Sequence, residues 1–364
     1  MLRGLKVPVF SILLLLNAFI LNADMGRITT SDVTVSEDAQ KAIIFHNLEE
    51  EILILGTDLK ADKETTILRF IPFPSEPTVK LAEGKPFDRV SELMKKHNMV
   101  FLEYSKSGSS SSVPVEVTFS AKIGAHDVTV VCINDIAEFR NWVAGFLKSK
   151  GLSFEGDNRN VEYIASDYVK RNIKYFVFDL VEITHEAQFV EPIAYRFKSK
   201  KLYYPLKTSN TFGGSGGIDL IIITPRVLCD IGPFSQALYI TDKEKELARE
   251  LAREEMAAIN PDYVSDDWRY SNRYDCLEPL SARASTTTEL LRADVKSIYA
   301  PAVSFFDKKG SILMQLLRYS GKYDFNEDIL IDITNAPQEN IFKSKGVDYS
   351  IDPSGDSYFD GLME

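Results

Sequence analysis

Hydrophobic and polar residues follow one another in short blocks along most of the chain, with spacings that alternate between those of strands and of helices. After Lys41, the apolar blocks AIIFHN and EEEILILGTDL are joined by a short polar turn, which predicts a β-hairpin. TTILRF predicts a third strand, and the prolines of IPFPSEPTVKL confine that segment to a sheet edge or an extended connection. KPFDRVSELMKKHN has apolar residues at helical spacing, and the strand MVFLEY follows it. We therefore predict an N-terminal α+β lobe over residues 24–104.

A second lobe is predicted after a segment rich in serine. Residues 105–112, SKSGSSSS, contain no apolar anchor and are interpreted as a flexible linker or long exposed loop. In residues 113–240, Asp135 and Glu138 form a capping box that begins a helix. KYFVFDLVEI is apolar on both faces, as expected of a central strand. The predicted fold class is α+β, with two lobes built of mainly antiparallel sheets and packed helices.

The C-terminal third has weaker periodicity. Thr241 and Glu244 form another capping box, which begins a charged helix. We interpret residues 241–340 as a helical, less regular C-terminal region. Residues 341–364 are polar and acidic and are interrupted by proline and glycine, which predicts a loosely ordered tail.

The first residues have the pattern of an export signal. Arg3 and Lys6 precede an almost unbroken apolar run that ends at Leu21, and a small residue follows shortly after it. Residues 1–23 are therefore predicted to be a secretory signal peptide. The alternative is a retained membrane anchor, although the run is shorter than the roughly 20 residues that a spanning helix needs. We expect an exported protein with an extracellular, periplasmic or cell-surface location.

The charge of the chain limits the kinds of partner that it is expected to bind. The 364 residues include 42 Lys and Arg against 53 Asp and Glu, and loss of the two basic residues of the signal would change the formal net charge from −11 to −13. No basic block is large enough to follow a phosphate backbone, so nucleic acid is not expected as a partner. The sequence does not identify a partner, and another envelope protein or a surface polymer fits an exported chain. Membrane contact is expected only through an uncleaved N-terminal segment.

Cysteine content allows one disulfide. The chain has three cysteines, so at least one thiol is free unless it pairs between chains. Cys132 lies in the strand pattern VTVVCIND and is expected to be a buried, inert thiol. If a bridge forms in an oxidising compartment, Cys229 and Cys276 are the candidates.

NTFGGSGGIDLIIITP contains the pattern G-x-S-x-G around Ser215, which is typical of a hydrolase nucleophile. A helix should follow such a serine, but the β-branched run IDLIIITP predicts a strand, and all four histidines precede Ser215. A trypsin-like order with His126 as the base remains, although Gly214 occupies the place of the usual acidic residue. We interpret the glycines as a reversal between two extended segments, and a serine hydrolase using Ser215 and His126 is the alternative.

A partial calcium motif lies near the C-terminal end. Asp324, Asn326 and Asp328 match the first half of a calcium loop, but Ile329 and Asn335 replace the required glycine and glutamate. A turn is the preferred interpretation, and calcium-dependent adhesion is the remaining alternative. We predict neither a bound metal nor a cofactor.

Several spaced motifs resemble those of a known family. They are AIIFHNLEEEILILGTDLKA, ILRFIPFPSEPTVKL, EFRNWVAGFLKSKG, YVKRNIKYFVFDLVEI and PIAYRFKSKKLYYPLK, the last followed by glycines. Over approximately residues 40–240 the chain resembles a prokaryotic family of exported proteins, catalogued as the domain of unknown function numbered twenty-three thirty. The resemblance implies location and architecture but supplies no catalytic residue. We therefore expect an exported structural or interaction module of the cell envelope rather than an enzyme.

Overall fold

The computed structural model describes residues 26–29, 35–104, 110–114, 126–152, 159–184, 188–211, 215–229, 231–239, 285–306 and 310–338. Helices and several mainly antiparallel sheets are present, which confirms the α+β class. Among the described residues, no helix has the length and apolar character needed to cross a bilayer.

The strands fall into two large sheets and two small ones. In chain order they are β1 (Gly26–Thr29), β2 (Val35–His46), β3 (Glu50–Ala61), β4 (Thr65–Phe73), β5 (Thr78–Leu81), β6 (Met99–Tyr104), β7 (Ser110–Pro114), β8 (Asp127–Cys132), β9 (Tyr175–Ile183), β10 (Gln188–Lys198), β11 (Leu202–Tyr204), β12 (Ser215–Thr224), β13 (Ser235–Gln236), β14 (Leu238–Tyr239), β15 (Thr288–Glu289), β16 (Leu313–Lys322) and β17 (Ile329–Ile331). The helices are α1 (Pro86–Lys96), α2 (Ile136–Ser149), α3 (Arg159–Lys170) and α4 (Arg292–Ile298), and 3₁₀ segments span Leu206–Thr211 and Ala300–Phe305.

Each large sheet combines strands that are far apart in the chain. The eight-stranded sheet has the order β13-β16-β12-β2-β3-β10-β5, with β15 beside β16, and the four-stranded sheet has the order β1-β4-β9-β8. Only β12 and β2 pair in parallel among these strands. Both sheets contain strands from before and after residues 105–112, so strand pairing establishes no division into lobes at that segment. Ser110–Pro114 itself forms β7, which pairs with β6.

Packing between the elements gives four layers. On one face of the eight-stranded sheet, α1, α4 and the segment Ala300–Phe305 form a buried cluster with the strands. The other face contacts the four-stranded sheet, where the Phe73 ring centroid lies 5.2 Å from that of Tyr195 and 5.0 Å from that of Phe197. Helix α2 covers the opposite face of the four-stranded sheet through Phe139, which contacts Phe70 at 5.7 Å. Both faces of the central strands are therefore buried, as their apolar composition requires.

Local signals explain the first hairpin and the start of α2. In the turn between β2 and β3, the Asn47 Oδ1 atom accepts hydrogen bonds from the backbone N–H groups of Glu49 (3.0 Å) and Glu50 (2.8 Å). Before α2, the Glu138 N–H donates to Asp135 Oδ1 (2.8 Å), so the predicted N-cap is confirmed. Both features depend on neighbours in sequence, and short-range patterns therefore predict them well.

Other expectations differ from the structure. Cys132 is exposed, so the prediction of a buried thiol is wrong, because β8 is an end strand in the order of its sheet and its side chains are covered only in part. The described strands on either side of the glycines do not pair with each other as a hairpin would, because β11 pairs with β17 whereas β12 pairs with β2 and β16. The region expected to be helical contributes the ten-residue strand β16. The signal segment, Cys276, the capping box at Thr241 and the acidic tail lie outside the described residues.

Candidate functional site

A cleft of about 500 Å³ opens between the loop Ile231–Phe234 and the loop that connects β16 with β17. Its apolar lining comes from Leu206, Ile231, Phe234, Phe325, Ile329 and Ile331. Its polar lining comes from Asp324, Asn326, Glu327 and Asp328. The three contributing stretches of chain are distant in sequence, and the cleft exists only because the sheets bring them together.

Aromatic packing joins the two walls of the cleft. Tyr319 at the end of β16 contacts Phe325 on one wall, with ring centroids 4.9 Å apart, and Phe234 on the other wall, at 5.9 Å. Tyr323 also packs on Phe325, at 6.0 Å. Because large rings lose little conformational entropy when they pack, this cluster holds both loops in place.

The backbone of the β16–β17 loop is held by one amide side chain. Asn210, in the segment Leu206–Thr211, accepts a hydrogen bond from the Phe325 N–H at 2.9 Å and donates one to the Phe325 carbonyl at 2.8 Å. The two bonds satisfy both polar backbone groups of Phe325 as a neighbouring strand would. Asn210 therefore fixes the position of the aromatic wall of the cleft through the backbone of Phe325.

Asp328 anchors the far end of the same loop. Its side chain has no solvent exposure, and its Oδ1 atom accepts hydrogen bonds from the Tyr168 hydroxyl (2.7 Å) and the Lys207 N–H (3.0 Å). Arg171 Nη2 forms an ion pair with Oδ2 at 2.8 Å. Burial raises the pKa of Asp328, against the lowering effects of Lys207 and Arg171. Both carboxylate oxygens are thus engaged by groups of the chain itself.

A second acid completes this network on α3. Asp167 accepts hydrogen bonds from the side chains of Lys207 and Arg171, each at 2.9 Å. Burial alone would raise the pKa of Asp167, but these two cations outweigh it and lower that pKa. The negative charges of Asp167 and Asp328 are balanced by the positive charges of Lys207 and Arg171. Together these four residues attach helix α3 to the cleft wall.

The rim of the cleft is negatively charged. Asp324, Asn326 and Glu327 are exposed. Within the described residues, Asp324 forms one ion pair, a 3.9 Å contact with Lys322 in which both side chains are 76% exposed. Asp324, Asn326 and Asp328, the residues of the partial calcium motif, do lie together on one loop. However, Asp328 is engaged internally, and within the described ranges no three His, Cys, Asp or Glu side chains are grouped to hold a metal ion. The loop presents surface charge at the mouth of an apolar cleft.

The residues of the serine-hydrolase alternative lie in different sheets. Ser215 begins β12, opposite Lys322 of β16, and a strand follows it as the sequence predicts. His126 precedes β8 in the four-stranded sheet, where its Nδ1 atom lies 2.9 Å from Asp179 Oδ2. Asp179 also forms an ion pair with Arg69. Cys229, a candidate for the disulfide, is exposed.

Arg69 and Asp179 were missed by sequence reasoning, although each is a charged residue within an otherwise apolar strand. They are directly opposed across β4 and β9, with side-chain exposures of 3% and 1%. Burial opposes ionisation of Asp179, but Arg69 and His126 lower its pKa. The Nε and Nη1 atoms of Arg69 are buried and have no hydrogen-bond partner among the residues that the structure describes. A charged residue at a strand position that faces the interior was therefore the feature of the sequence that could have predicted this ion pair.

Comparison with known protein families shows which family the chain belongs to. The family model described as an uncharacterized protein conserved in bacteria, DUF2330, matches residues 22–226. The chain belongs to this family. The matched span of DUF2330 includes Leu206 and the supporting residues on α3 and the segment Leu206–Thr211, whereas both loops that form the walls of the cleft follow it.

Two solved structures are similar to this DUF2330 protein, both with low sequence identity and a low TM-score. A crystal structure of baculovirus P35 is similar at 8% identity over 84% of this chain and 94% of that chain, with a TM-score of 0.31. A Legionella pneumophila protein for which nutrient binding is suggested is similar at 10% identity over 86% of this chain and 71% of that chain, with a TM-score of 0.26. No curated protein matches the chain.

Two further buried polar side chains close the first hairpin of the DUF2330 protein. His46 and Glu51 are opposed at the end of β2 and β3, and both are fully buried. His46 Nδ1 accepts the Leu48 N–H at 3.1 Å, and Glu51 Oε2 accepts the Tyr203 N–H at 2.8 Å. Burial lowers the pKa of His46 to about 4 and raises that of Glu51 well above its ordinary range. Each side chain satisfies a backbone group, and His46 is neutral in the folded protein near pH 7.

The lowered pKa of His46 predicts loss of stability in acid. Between pH 6.5 and about 4 the unfolded chain binds a proton at His46 that the folded protein does not. The free energy of unfolding therefore falls as pH decreases through this window, by about 3 kcal/mol from this residue. Urea denaturation at pH 7 and pH 4 measures the difference.

His46→Asn provides the matched control for that measurement. Asparagine keeps an acceptor near the Leu48 N–H but does not titrate, so the variant should show an acid-induced loss about 3 kcal/mol smaller than the wild type. The opposing contribution of Glu51 is present in both proteins and cancels in the comparison. Equal losses in the two proteins would contradict the buried, neutral state of His46.

Proposed function

We propose that this bacterial protein is an exported, non-enzymatic module of the cell envelope that binds a partner through the cleft between Ile231–Phe234 and Asp324–Asp328. The observation that carries the proposal is a preformed apolar cleft with a polar rim. Export rests on the signal pattern of residues 1–23.

The size and construction of the cleft favour binding. Ligand sites in proteins commonly enclose about 300–1,000 Å³ and combine apolar walls with a few polar groups, and the cleft of about 500 Å³ falls within that range. Asn210 and Asp328 hold one wall in place before any ligand arrives. Because the wall is ordered in advance, a ligand loses less free energy to the ordering of loops.

The positions of the catalytic candidates favour binding over hydrolysis. A serine nucleophile requires a base within about 3 Å and an accessible position for the substrate. The His126 side chain is 5% exposed and contacts Asp179 in the four-stranded sheet, whereas Ser215 lies in the eight-stranded sheet. These placements support an internal structural role for His126.

Site-specific crosslinking in the intact bacterium tests the proposal. A photoreactive benzoyl-phenylalanine is placed at Asn326, an exposed residue of the cleft, and in a control chain at Lys148, an exposed residue of α2. We expect the protein in the exported fraction, with a crosslinked product at Asn326 that the control lacks. Retention of the chain in the cytoplasm, or identical products from both positions, would contradict the proposed function.

A further inference from the structure

We propose that the occupant of the cleft is a peptide segment that carries a lysine or arginine beside large apolar side chains. This inference rests on the proposed binding function of the cleft and adds the chemistry of its ligand. Two properties of the lining lead to it, the apolar walls and the sign of the charge at the rim.

The walls provide the surface for an apolar stem. Phe234 and Phe325 each retain 8% exposure and border the cleft from opposite loops, and Ile329 and Ile331 of β17 complete the apolar lining. A lysine or arginine side chain places its methylene groups on such a surface while its charged end stays in water. An arginine guanidinium also stacks favourably on aromatic rings.

The rim provides the charge that selects a cation. Asp324 and Glu327 are exposed acids, and the described lining of the cleft contains carboxylates but no cationic side chain. The nearby Lys322 neutralises Asp324 only weakly, since their 3.9 Å contact is solvent-exposed on both sides. The net charge of the whole chain, −11, adds a long-range attraction for cations. A lysine or arginine side chain matches both parts of the lining, because its charged end can lie at the acidic rim while its methylene groups lie against the apolar walls.

A peptide segment fits this lining better than a metal ion does. The third carboxylate, Asp328, has both oxygens engaged by Tyr168, Lys207 and Arg171, which leaves only the two rim acids to face a ligand. The volume of about 500 Å³ also exceeds what one ammonium or guanidinium group fills. Apolar residues next to the cation would occupy the remaining space.

The test compares two peptides that differ in one charge. Both are short, acetylated and amidated, with leucines around a central position that holds arginine in one and its uncharged isostere citrulline in the other. Fluorescence anisotropy at low salt measures binding to the full exported chain. We expect the arginine peptide to bind about fivefold more tightly, the size expected for two exposed charge contacts.

Matched variants locate the effect at the rim. Asp324→Asn/Glu327→Gln removes two charges from the rim, and Glu76→Gln/Glu83→Gln removes two exposed charges from outside the cleft lining. The preference for arginine should disappear in the rim variant and persist in the control. Asn326→Trp should weaken binding of both peptides by occupying the cleft. Thermal unfolding of each variant verifies that it is folded.

The other outcomes separate this inference from the proposed function. Equal binding of both peptides, with loss of both in Asn326→Trp, would overturn the cationic ligand and leave the cleft as a binding site. No binding of either peptide alongside a crosslink at Asn326 would overturn the peptide ligand. No binding together with no crosslink would overturn the proposed function as well.

Discussion

Asp179→Leu will lower the free energy of unfolding by about 3–5 kcal/mol, because it leaves the buried guanidinium of Arg69 without the one ion-pair partner that it has among the described residues. The Arg69 side chain is 3% exposed, and within the described part of the chain its Nε and Nη1 atoms already lack a hydrogen-bond partner. His126 loses its contact with the same carboxylate. Guanidinium chloride denaturation of the wild type and the variant measures the difference at constant pH.

The double variant Arg69→Met/Asp179→Leu is the control. Once neither charge is present, the desolvation of an unpaired ion no longer applies, and apolar replacements of buried pairs are often neutral or stabilising. The double variant should therefore regain most of the stability lost in Asp179→Leu. A loss equal to the sum of the losses in Asp179→Leu and in Arg69→Met alone would show that the two residues act independently and would contradict this account.

Phe139→Ala will lower the free energy of unfolding by a similar amount, about 3–5 kcal/mol. Phe139 is fully buried where α2 packs on the four-stranded sheet, and its ring contacts Phe176 at 5.6 Å and Phe178 at 5.8 Å. Alanine removes the ring and leaves a cavity that the surrounding aromatic residues fill only in part. Denaturation measures the loss, and near-ultraviolet circular dichroism reports on the aromatic packing.

Tyr163→Ala is the matched control for the aromatic deletion. Tyr163 lies on α3 and is 71% exposed, so its truncation should change the free energy of unfolding by less than about 0.5 kcal/mol. A loss below about 1 kcal/mol in Phe139→Ala would mean that α2 contributes little to the stability of the four-stranded sheet.

Short-range patterns predicted the local elements because the responsible interactions are themselves short-range. Asn47 closes the turn through N–H groups two and three residues away, and Asp135 caps α2 through the N–H of Glu138. Alternation of apolar residues identified most strands in the same way. The alternation shows which face of a strand is buried but does not show which strand lies beside it. Strand order therefore could not be predicted, and the parallel pair of β2 and β12 shows this most clearly.

The candidate site was predictable only in part. Sequence reasoning singled out Asp324, Asn326 and Asp328 as a partial calcium motif and preferred a turn, and the structure places all three at the cleft. It did not identify Phe234 and Leu206, because no local pattern relates them to that loop. It also could not show that Asp328 faces Tyr168 and Arg171, which lie on another element far away in the chain.

By itself the sequence determined membership of the DUF2330 family, the α+β class, and the turn and cap residues, since each depends on residue type and spacing along the chain. Only the tertiary structure decided which charges are internal and which face solvent. Asp179 and Asp324 are the same residue type, yet one is paired inside the protein and the other is exposed at the cleft. The physical reason is that the state of a carboxylate depends on the water and charges around it, and these are set by segments distant in sequence.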